Sequence, residues 1–290
     1  MRRCPRLRRT ALIEGMTTML LLRFWRSGAL AIFAGLLASK LALCEPAIAP
    51  SSEITRVDLE KPFNTRSPWR LVAIQGPPAV DYGGNPAPGA LHLCLEKGSS
   101  GPCDSVPMPP LESGASPTGW EPHYLSVAEP VYPQGRSARP LLLIITASMH
   151  AGDGGQLVVT QLLDYRSASD TFERLYVHST GTNNNEEVRF IPSGPLEGAV
   201  ISAEPTDNAP YAYWVEIDRF TPERAYRQVL RYRSATRYND GNSLAVIDSE
   251  MPNIERRLGL WSPGSPLPLP VGATKQCVRP HLKNAELWCN

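Results

Sequence analysis

Short apolar segments, some alternating with polar residues and some continuous, recur along the chain from position 69 onward. They are rich in β-branched and aromatic residues and are separated by Gly, Pro, Asn and Asp, a pattern typical of strands joined by turns. The predicted strands cover residues 69–74, 90–95, 141–146, 157–165, 172–178, 188–191, 199–203, 211–220, 226–232 and 244–247. No stretch predicts an amphipathic helix longer than about two turns, so the expected fold class is all-β.

Proline and glycine set the expected domain limits. Residues 45–68 are polar and contain Pro, so they predict an N-terminal tether or edge segment rather than core. Dense Pro and Gly between residues 76 and 119, and again between 262 and 270, argue against helices in those regions. The strand-rich part, residues 69–290, is long enough to bury a large core and predicts a single β-rich domain.

An internal repeat is indicated by two similar regions, residues 141–191 and 198–247. Their segments align as 141–147 with 198–204, 157–165 with 211–219, 172–178 with 226–232, and 183–191 with 239–247. A four-stranded unit of roughly 55 residues is typical of a β-propeller blade, which packs only against its neighbours. The expected architecture is therefore propeller-like, with a β-sandwich as the alternative fold. Two unrelated β meanders would also look alike at this level.

Two loops resemble the Asp/Gly loop of FG-GAP propeller repeats, which often holds calcium. They are Asn-Asp-Gly at 239–241 and Asp-Gly-Gly at 153–155, each followed by an apolar segment. The resemblance implies a calcium site at Asp153, Asn239 and Asp240, and the oxygen-rich tract that begins at Asn183 is a further candidate. Calcium takes six to eight oxygen ligands, and these loops offer few carboxylates, so simple structural turns are the alternative.

Residues 1–44 predict a signal peptide. Several arginines precede an apolar run at residues 28–39, which is about half the length that a membrane-spanning helix needs. Cleavage after Cys44 is expected, and acylation of Cys44 in an outer-membrane lipoprotein is the alternative, although the residue before it is not small. Translation from Met16 or Met19 would shorten the segment. The expected location is periplasmic or secreted.

Export changes the charge balance of the chain. Residues 1–44 hold eight of the 29 Lys and Arg and one of the 28 acidic residues, so 21 basic and 27 acidic residues remain, a net charge of −6. A mildly acidic chain without a basic run argues against nucleic-acid binding. Membrane contact is expected only through a lipid anchor at Cys44.

Four cysteines follow the signal segment, an even number that suits disulfides in an oxidising compartment. Their spacing favours two local bridges, Cys94 with Cys103 and Cys277 with Cys289, among three connectivities. Neither pair has the spacing of a zinc knuckle.

Candidate catalytic residues are sparse, because neither Gly-x-Ser-x-Gly nor His-Glu-x-x-His occurs. Glu204, Asp248 and Glu250 follow apolar segments and would face a shared cleft in a glycoside- or ester-directed hydrolase. His150 lies in a loop after a predicted strand, where a solvated histidine is the alternative.

Tyr211, Tyr213 and Trp214 form an aromatic cluster that would suit sugar stacking, or else a half-buried strand with the tyrosines on one face and Trp214 on the other. Tracts such as 81–84 and 183–190 resemble a secreted protein of Gram-negative bacteria. We therefore expect an exported, non-catalytic β-repeat protein that binds a protein or a glycan, or is structural, in the bacterial envelope. An envelope hydrolase is the alternative function.

Overall fold

Strands account for most of the regular structure in the computed structural model, which confirms the all-β fold class. The structure describes residues 51–98, 103–106, 121–135, 137–152, 154–207, 211–269 and 277–289, all within one unit that spans residues 47–290. The predicted signal segment 1–44, including Cys44, lies outside the described residues. So does Asp153.

The first sheet is built from the N-terminal strands. In chain order this part contains β1 (Ser52–Asp58), α1 (Glu60–Phe63), β2 (Trp69–Gln75), β3 (Ala79–Val80), β4 (Pro86–Ala87), β5 (Leu91–Lys97) and β6 (Cys103–Ser105). The antiparallel sheet has the order β1-β2-β5-β6, and β3 pairs with β4 in a separate hairpin. β1 is thus an edge strand, but Leu59 and Phe63, which follow it, are buried in the core. The expectation that residues 45–68 lie outside the core is wrong at those two positions, because α1 folds back against the sheet.

The second and third sheets are four-stranded antiparallel meanders. The second contains β7 (Pro122–Val131), β8 (Leu141–Ser148), β9 (Val158–Arg166) and β10 (Thr171–Thr180). The third contains β11 (Glu187–Phe190), β12 (Val200–Pro205), β13 (Tyr213–Phe220) and β14 (Tyr226–Arg233). The described residues therefore form three four-stranded layers, whereas a β-sandwich has two layers.

The second sheet lies between the other two, which explains its sequence. Leu142 and Ile144 of β8 pack toward the first sheet, whereas Leu141 and Leu143 pack toward the third. A strand that is covered on both faces needs apolar residues at consecutive positions, so β8 shows a continuous run instead of alternation. The third sheet does alternate: Val200 faces the second sheet and Ile201 faces the opposite side.

The far face of the third sheet is covered by a helix that the sequence pattern did not predict. This helix, α2 (Val246–Arg257), packs Val246, Ile247, Met251 and Ile254 against the third sheet. The strand predicted at residues 244–247 is wrong, and so is the last segment of the proposed repeat alignment. The hairpin of β15 (Pro280–Lys283) and β16 (Glu286–Cys289) follows. The described residues form no closed ring of sheets.

Two cysteine pairs lie at disulfide distance. The Cα atoms of Cys94 and Cys103 are 5.1 Å apart, and those of Cys277 and Cys289 are 5.4 Å apart. Both distances fall within the usual range for disulfides. The first pair links β5 to β6, and such pairs suggest an oxidising compartment. Among the described residues, no helix combines the length and the apolar character needed to cross a membrane.

A buried carboxylate joins the first sheet to the second. Asp170, in the turn between β9 and β10, accepts hydrogen bonds from the Tyr165 hydroxyl at 2.6 Å, Ser67 Oγ at 2.7 Å and Trp69 Nε1 at 3.0 Å, and Lys97 Nζ lies 2.8 Å away. Burial alone would raise the pKa of Asp170, but these donors outweigh burial and hold the pKa well below its usual range.

A second buried carboxylate joins the second sheet to the third. Asp164 of β9 is fully buried and is bound by Arg224, from the turn between β13 and β14, through Nε at 3.0 Å and also through Nη2. Arg166 and Arg139 approach the same carboxylate at 3.3 and 3.6 Å. Arg224 has a φ of 58°, so the turn takes a left-handed backbone there.

Replacing Asp170 by Asn should lower the free energy of unfolding by about 3 kcal/mol at neutral pH, because four donors lose a charged acceptor. Asn tolerates the positive φ of 53° at this position, so the backbone is not strained by the change. Urea unfolding of Asp170→Asn beside Asp207→Asn, which alters an exposed carboxylate, measures the effect.

The folded-state pKa of Asp170 lies below the unfolded value near 3.8, so the stabilisation by this carboxylate is present above about pH 4 and is lost as the pH falls further. The difference in the free energy of unfolding between wild type and Asp170→Asn should therefore become smaller below about pH 4. A gap that stays constant down to about pH 2 would show that the charge of Asp170 is not the source of the stability.

Candidate functional site

In the loops that the sequence predicts to bind calcium, the candidate side chains make contacts within their turns. Asp240 accepts hydrogen bonds from the backbone N–H of Asn242 at 2.8 Å and of Arg237 at 3.3 Å, and Asn239 has a φ of 58°. The side chain of Asn183 lies against Gly155, too close to leave room for a Cβ there. No group of three or more His, Cys, Asp or Glu side chains in the described part of the chain has a metal-binding arrangement. Calcium at these loops stays a prediction.

The loop at residues 183–185 and the loop at residues 239–241 are nevertheless neighbours. Asn185, Asn239 and Asp240 line a polar cavity of about 230 Å³, and the Tyr213 hydroxyl donates to the carbonyl of Asn184 at 2.8 Å. Tyr213 therefore fixes one loop to the third sheet. The contact is a structural one, since it uses a fully buried tyrosine and a backbone oxygen.

The three candidate acids serve different parts of the fold and do not share a cleft. Glu250 of α2 is fully buried and accepts from the Tyr232 hydroxyl at 2.7 Å, Asn253 Nδ2 at 3.1 Å and the Thr236 hydroxyl. It joins α2 to the end of β14. Asp248 forms an ion pair with Arg189 at the start of α2.

The third candidate acid, Glu204, lies on the third sheet. Its Oε1 is 2.6 Å from Nε2 of His178, a residue of β10 in the second sheet. This hydrogen bond, stronger in effect than burial, lowers the pKa of Glu204. About half of the Glu204 side chain remains exposed, so this pair borders the solvent.

The other nominated residues have ordinary surroundings. His150 is an exposed loop residue that contacts the Tyr124 ring edge-on, with 5.8 Å between ring centroids. Tyr213 is fully buried, whereas Trp214 is 36% exposed, so they occupy opposite faces of β13. Tyr211 lies outside that strand and its carbonyl accepts from the Tyr238 N–H. The aromatic cluster is therefore divided, and only Trp214 faces the solvent beside polar groups.

The structure assembles a set of polar and aromatic side chains around Trp214, which we call the third-sheet patch. Its members are His178, Glu204, Trp214, Glu216, Asp218 and Arg231. Alternation along β13 puts Trp214, Glu216 and Asp218 on one face. The pairing of Glu204 with Trp214 and of Glu216 with Arg231 adds residues from both neighbouring strands.

Charges within the third-sheet patch are linked by hydrogen bonds. Arg231 Nε lies 2.7 Å from Glu216 Oε1, and its guanidinium is 4.6 Å from the Trp214 ring centroid. Gln228 Nε2 donates to the other Glu216 oxygen at 2.8 Å. Burial, with a contribution from the charge of Glu216, raises the pKa of Asp218. The patch thus holds two carboxylates, Glu204 and Asp218, whose pKa values shift in opposite directions.

The side chains of this patch offer the types of group that can contact a carbohydrate. A sugar ring offers C–H groups that pack on an indole face and hydroxyl groups that hydrogen-bond to carboxylates, amides and guanidinium groups. Arg231 covers part of the Trp214 ring, and the exposed remainder of the indole lies beside the polar groups of Glu204 and Glu216. Contacts among these groups restrict their motion, which would reduce the entropy lost if a ligand bound.

Sequence reasoning missed most members of this patch. Glu216 and Asp218 were detectable, because strict alternation with the buried Val215 and Ile217 places them beside Trp214. His178 could not be predicted from the sequence, because it contacts Glu204 from another sheet and no local motif identifies it.

No family model matches this chain, and no match is found among curated proteins or among solved structures. The function is therefore inferred from the chemistry of the site itself.

Glu286, a buried acid near Glu250, allows the effect of a buried charge on the free energy of unfolding to be tested. Glu286 of β16 is 5% exposed, and burial followed by the nearby charge of Glu250 raises its pKa to about 6. Between pH 4.5 and about 6 the folded chain binds more protons at this site than the unfolded chain, so stability falls as the pH rises through that window.

Glu286→Gln should therefore raise the free energy of unfolding by about 2 kcal/mol above pH 7, with little effect below about pH 4.5. Thermal or urea unfolding across this range measures the difference, with the exposed Glu197→Gln as the matched control. An equal effect of Glu286→Gln at both ends of the range would contradict the assignment.

Proposed function

We propose that this chain is an exported, non-catalytic binding protein of the bacterial envelope, periplasmic or secreted. The two cysteine pairs at disulfide distance support an oxidising location, as does the signal segment that the sequence predicts at residues 1–44. An outer-membrane lipoprotein anchored through Cys44 is the alternative form of the same proposal. N-terminal analysis of the exported protein distinguishes the two.

The proposed ligand is a glycan, and the third-sheet patch is the recognition surface. The observation that carries this proposal is Trp214, an exposed indole flanked by Glu204, Glu216 and Arg231 in fixed positions. Exposed tryptophan and arginine are the residues that most often dominate binding energy at interfaces. A glycan fits better than a protein partner, because Glu204, Glu216 and Arg231 near the indole are all hydrogen-bonding groups.

The three sheets are proposed to be related, blade-like units of a propeller-like array. Each has four antiparallel strands, and β8, β9 and β10 fall where the sequence alignment pairs them with β12, β13 and β14. The units meet face to face through apolar cores, as neighbouring blades do. α2 covers the outer face of the third sheet, the position that a further blade would take.

Trp214→Ala should weaken glycan binding by about tenfold or more, because a truncated indole removes the packing surface for the sugar ring. Calorimetric titration of the exported protein with isolated envelope polysaccharides measures this. Tyr82→Ala removes an aromatic ring that is 62% exposed on the β3–β4 hairpin and serves as the control. Equal affinities for wild type and Trp214→Ala, or no affinity for any of these polysaccharides, would refute the glycan proposal.

The alternative, an envelope hydrolase, is favoured by one observation. Asp218 with a raised pKa and Glu204 with a lowered pKa on the same face resemble the acid and the carboxylate of a glycosidase. Under the binding proposal, prolonged incubation of wild-type protein with a bound polysaccharide releases no reducing ends. Release that Asp218→Asn abolishes would establish the hydrolase instead.

A further inference from the structure

A small cavity lies beside α2, on the side of the third sheet away from the second sheet. Its volume is about 290 Å³. The loop that joins β11 to β12 forms one wall with Ile191 and Leu196, and Met251 of α2 and Leu269 form others. The volume is at the lower end of the range of about 300–1,000 Å³ for small-molecule sites, so the cavity suits a ligand smaller than a typical drug.

Glu255, in the last turn of α2, lines this cavity. The residue is 6% exposed, yet its carboxylate forms no hydrogen bond or ion pair with any residue that the structure describes. The neighbouring arginines are engaged elsewhere, since Arg256 donates to Asn253 Oδ1 at 3.0 Å and Arg257 stacks on Tyr232 at 4.3 Å. The carboxylate oxygens are not among the fully enclosed polar atoms that lack a partner, so they reach the solvent through the cavity, and partial burial raises the pKa of Glu255.

The other charged residue of the cavity does not compensate Glu255. Arg189 Nη2 lies 2.8 Å from Glu187 Oε2, and Nη1 contacts Asp248 Oδ1. Two carboxylates already share this one guanidinium, and Glu187 also accepts from the N–H of Ile247 at 2.6 Å. Two carboxylates against one guanidinium leave a net charge of −1, and an ionised Glu255 makes the balance more negative. Such a site attracts cations and repels anions.

We propose that this cavity binds a small organic amine, with the ammonium group on the Glu255 carboxylate and the apolar body against Ile191, Leu196, Met251 and Leu269. An ammonium group supplies hydrogen-bond donors and a positive charge opposite the Glu255 carboxylate. The apolar walls add affinity in proportion to the surface that they cover. This site is separate from the third-sheet patch, because the cavity and the patch lie on opposite faces of the third sheet.

The test uses benzylamine as the probe, with benzyl alcohol and benzoate as neutral and anionic ligands of the same size and shape. Calorimetry or ligand-observed NMR on the exported wild-type protein at about pH 8 should show saturable benzylamine binding at least about tenfold tighter than either analogue. This comparison needs no variant and is therefore independent of any effect on folding. No saturable binding of benzylamine, or tighter binding of benzoate, would overturn the proposal.

The Glu255→Gln variant tests whether benzylamine binds at the Glu255 carboxylate. It keeps the shape of the side chain and removes the charge, so benzylamine affinity should fall about tenfold while the fold is retained. Glu197→Gln, an exposed carboxylate in the loop between β11 and β12, should leave the affinity unchanged. Full benzylamine affinity in Glu255→Gln would reject the assigned contact. Trp214→Ala should bind benzylamine like wild type, so failure of this proposal and failure of the glycan proposal are distinguishable.

Discussion

A buried carboxylate at each layer boundary is the interaction on which the rest of the structure depends. Asp170 joins the first sheet to the second, Asp164 joins the second to the third, and Glu250 joins the third sheet to α2. Apolar faces attract without direction, so flat layers could pack in several registers. A buried carboxylate restricts this choice, because any register that separates it from its donors leaves an unpaired charge in the interior. Each of these acids is supplied by donors from the adjoining layer.

This role explains why acidic residues are poor guides to function in this chain. Glu250 and Asp248 follow apolar segments and invite a catalytic interpretation, yet the first is enclosed by donors and the second neutralises Arg189. Acids that hold layers together are buried and saturated, whereas recognition requires groups that keep some exposure. Glu204 meets that condition, with one partner and about half of its side chain in solvent.

Local patterns in the sequence predicted the four strands of the third sheet, three of the four in the second sheet and both cysteine pairs, because these depend on near neighbours. They did not predict β3, β4, β6, β7, β15 or β16. Apolar and polar residues alternate along β13, which is buried on one face, whereas β8 has a continuous apolar run because it is covered on both faces. The pattern failed at α2, where an apolar run at 244–247 fits a strand or a helix equally and Pro252 argues against a helix. Packing of Met251 and Ile254 on the third sheet outweighs that local cost. The His178 to Glu204 contact joins separate sheets and leaves no local trace.

The third sheet carries both candidate sites for a reason that follows from its position. The second sheet is enclosed on both faces, so nearly every side chain of β8 and β9 is committed to packing. The third sheet meets the second sheet over only part of one face and α2 over part of the other. The first face bears the exposed Trp214 and the partly buried Glu216 and Asp218, and beside α2 the loop after β11 leaves a cavity that contains Glu255. The groups that we propose for binding therefore lie where the layers are incompletely covered, on a sheet that Asp164 and Glu250 hold in place from either side.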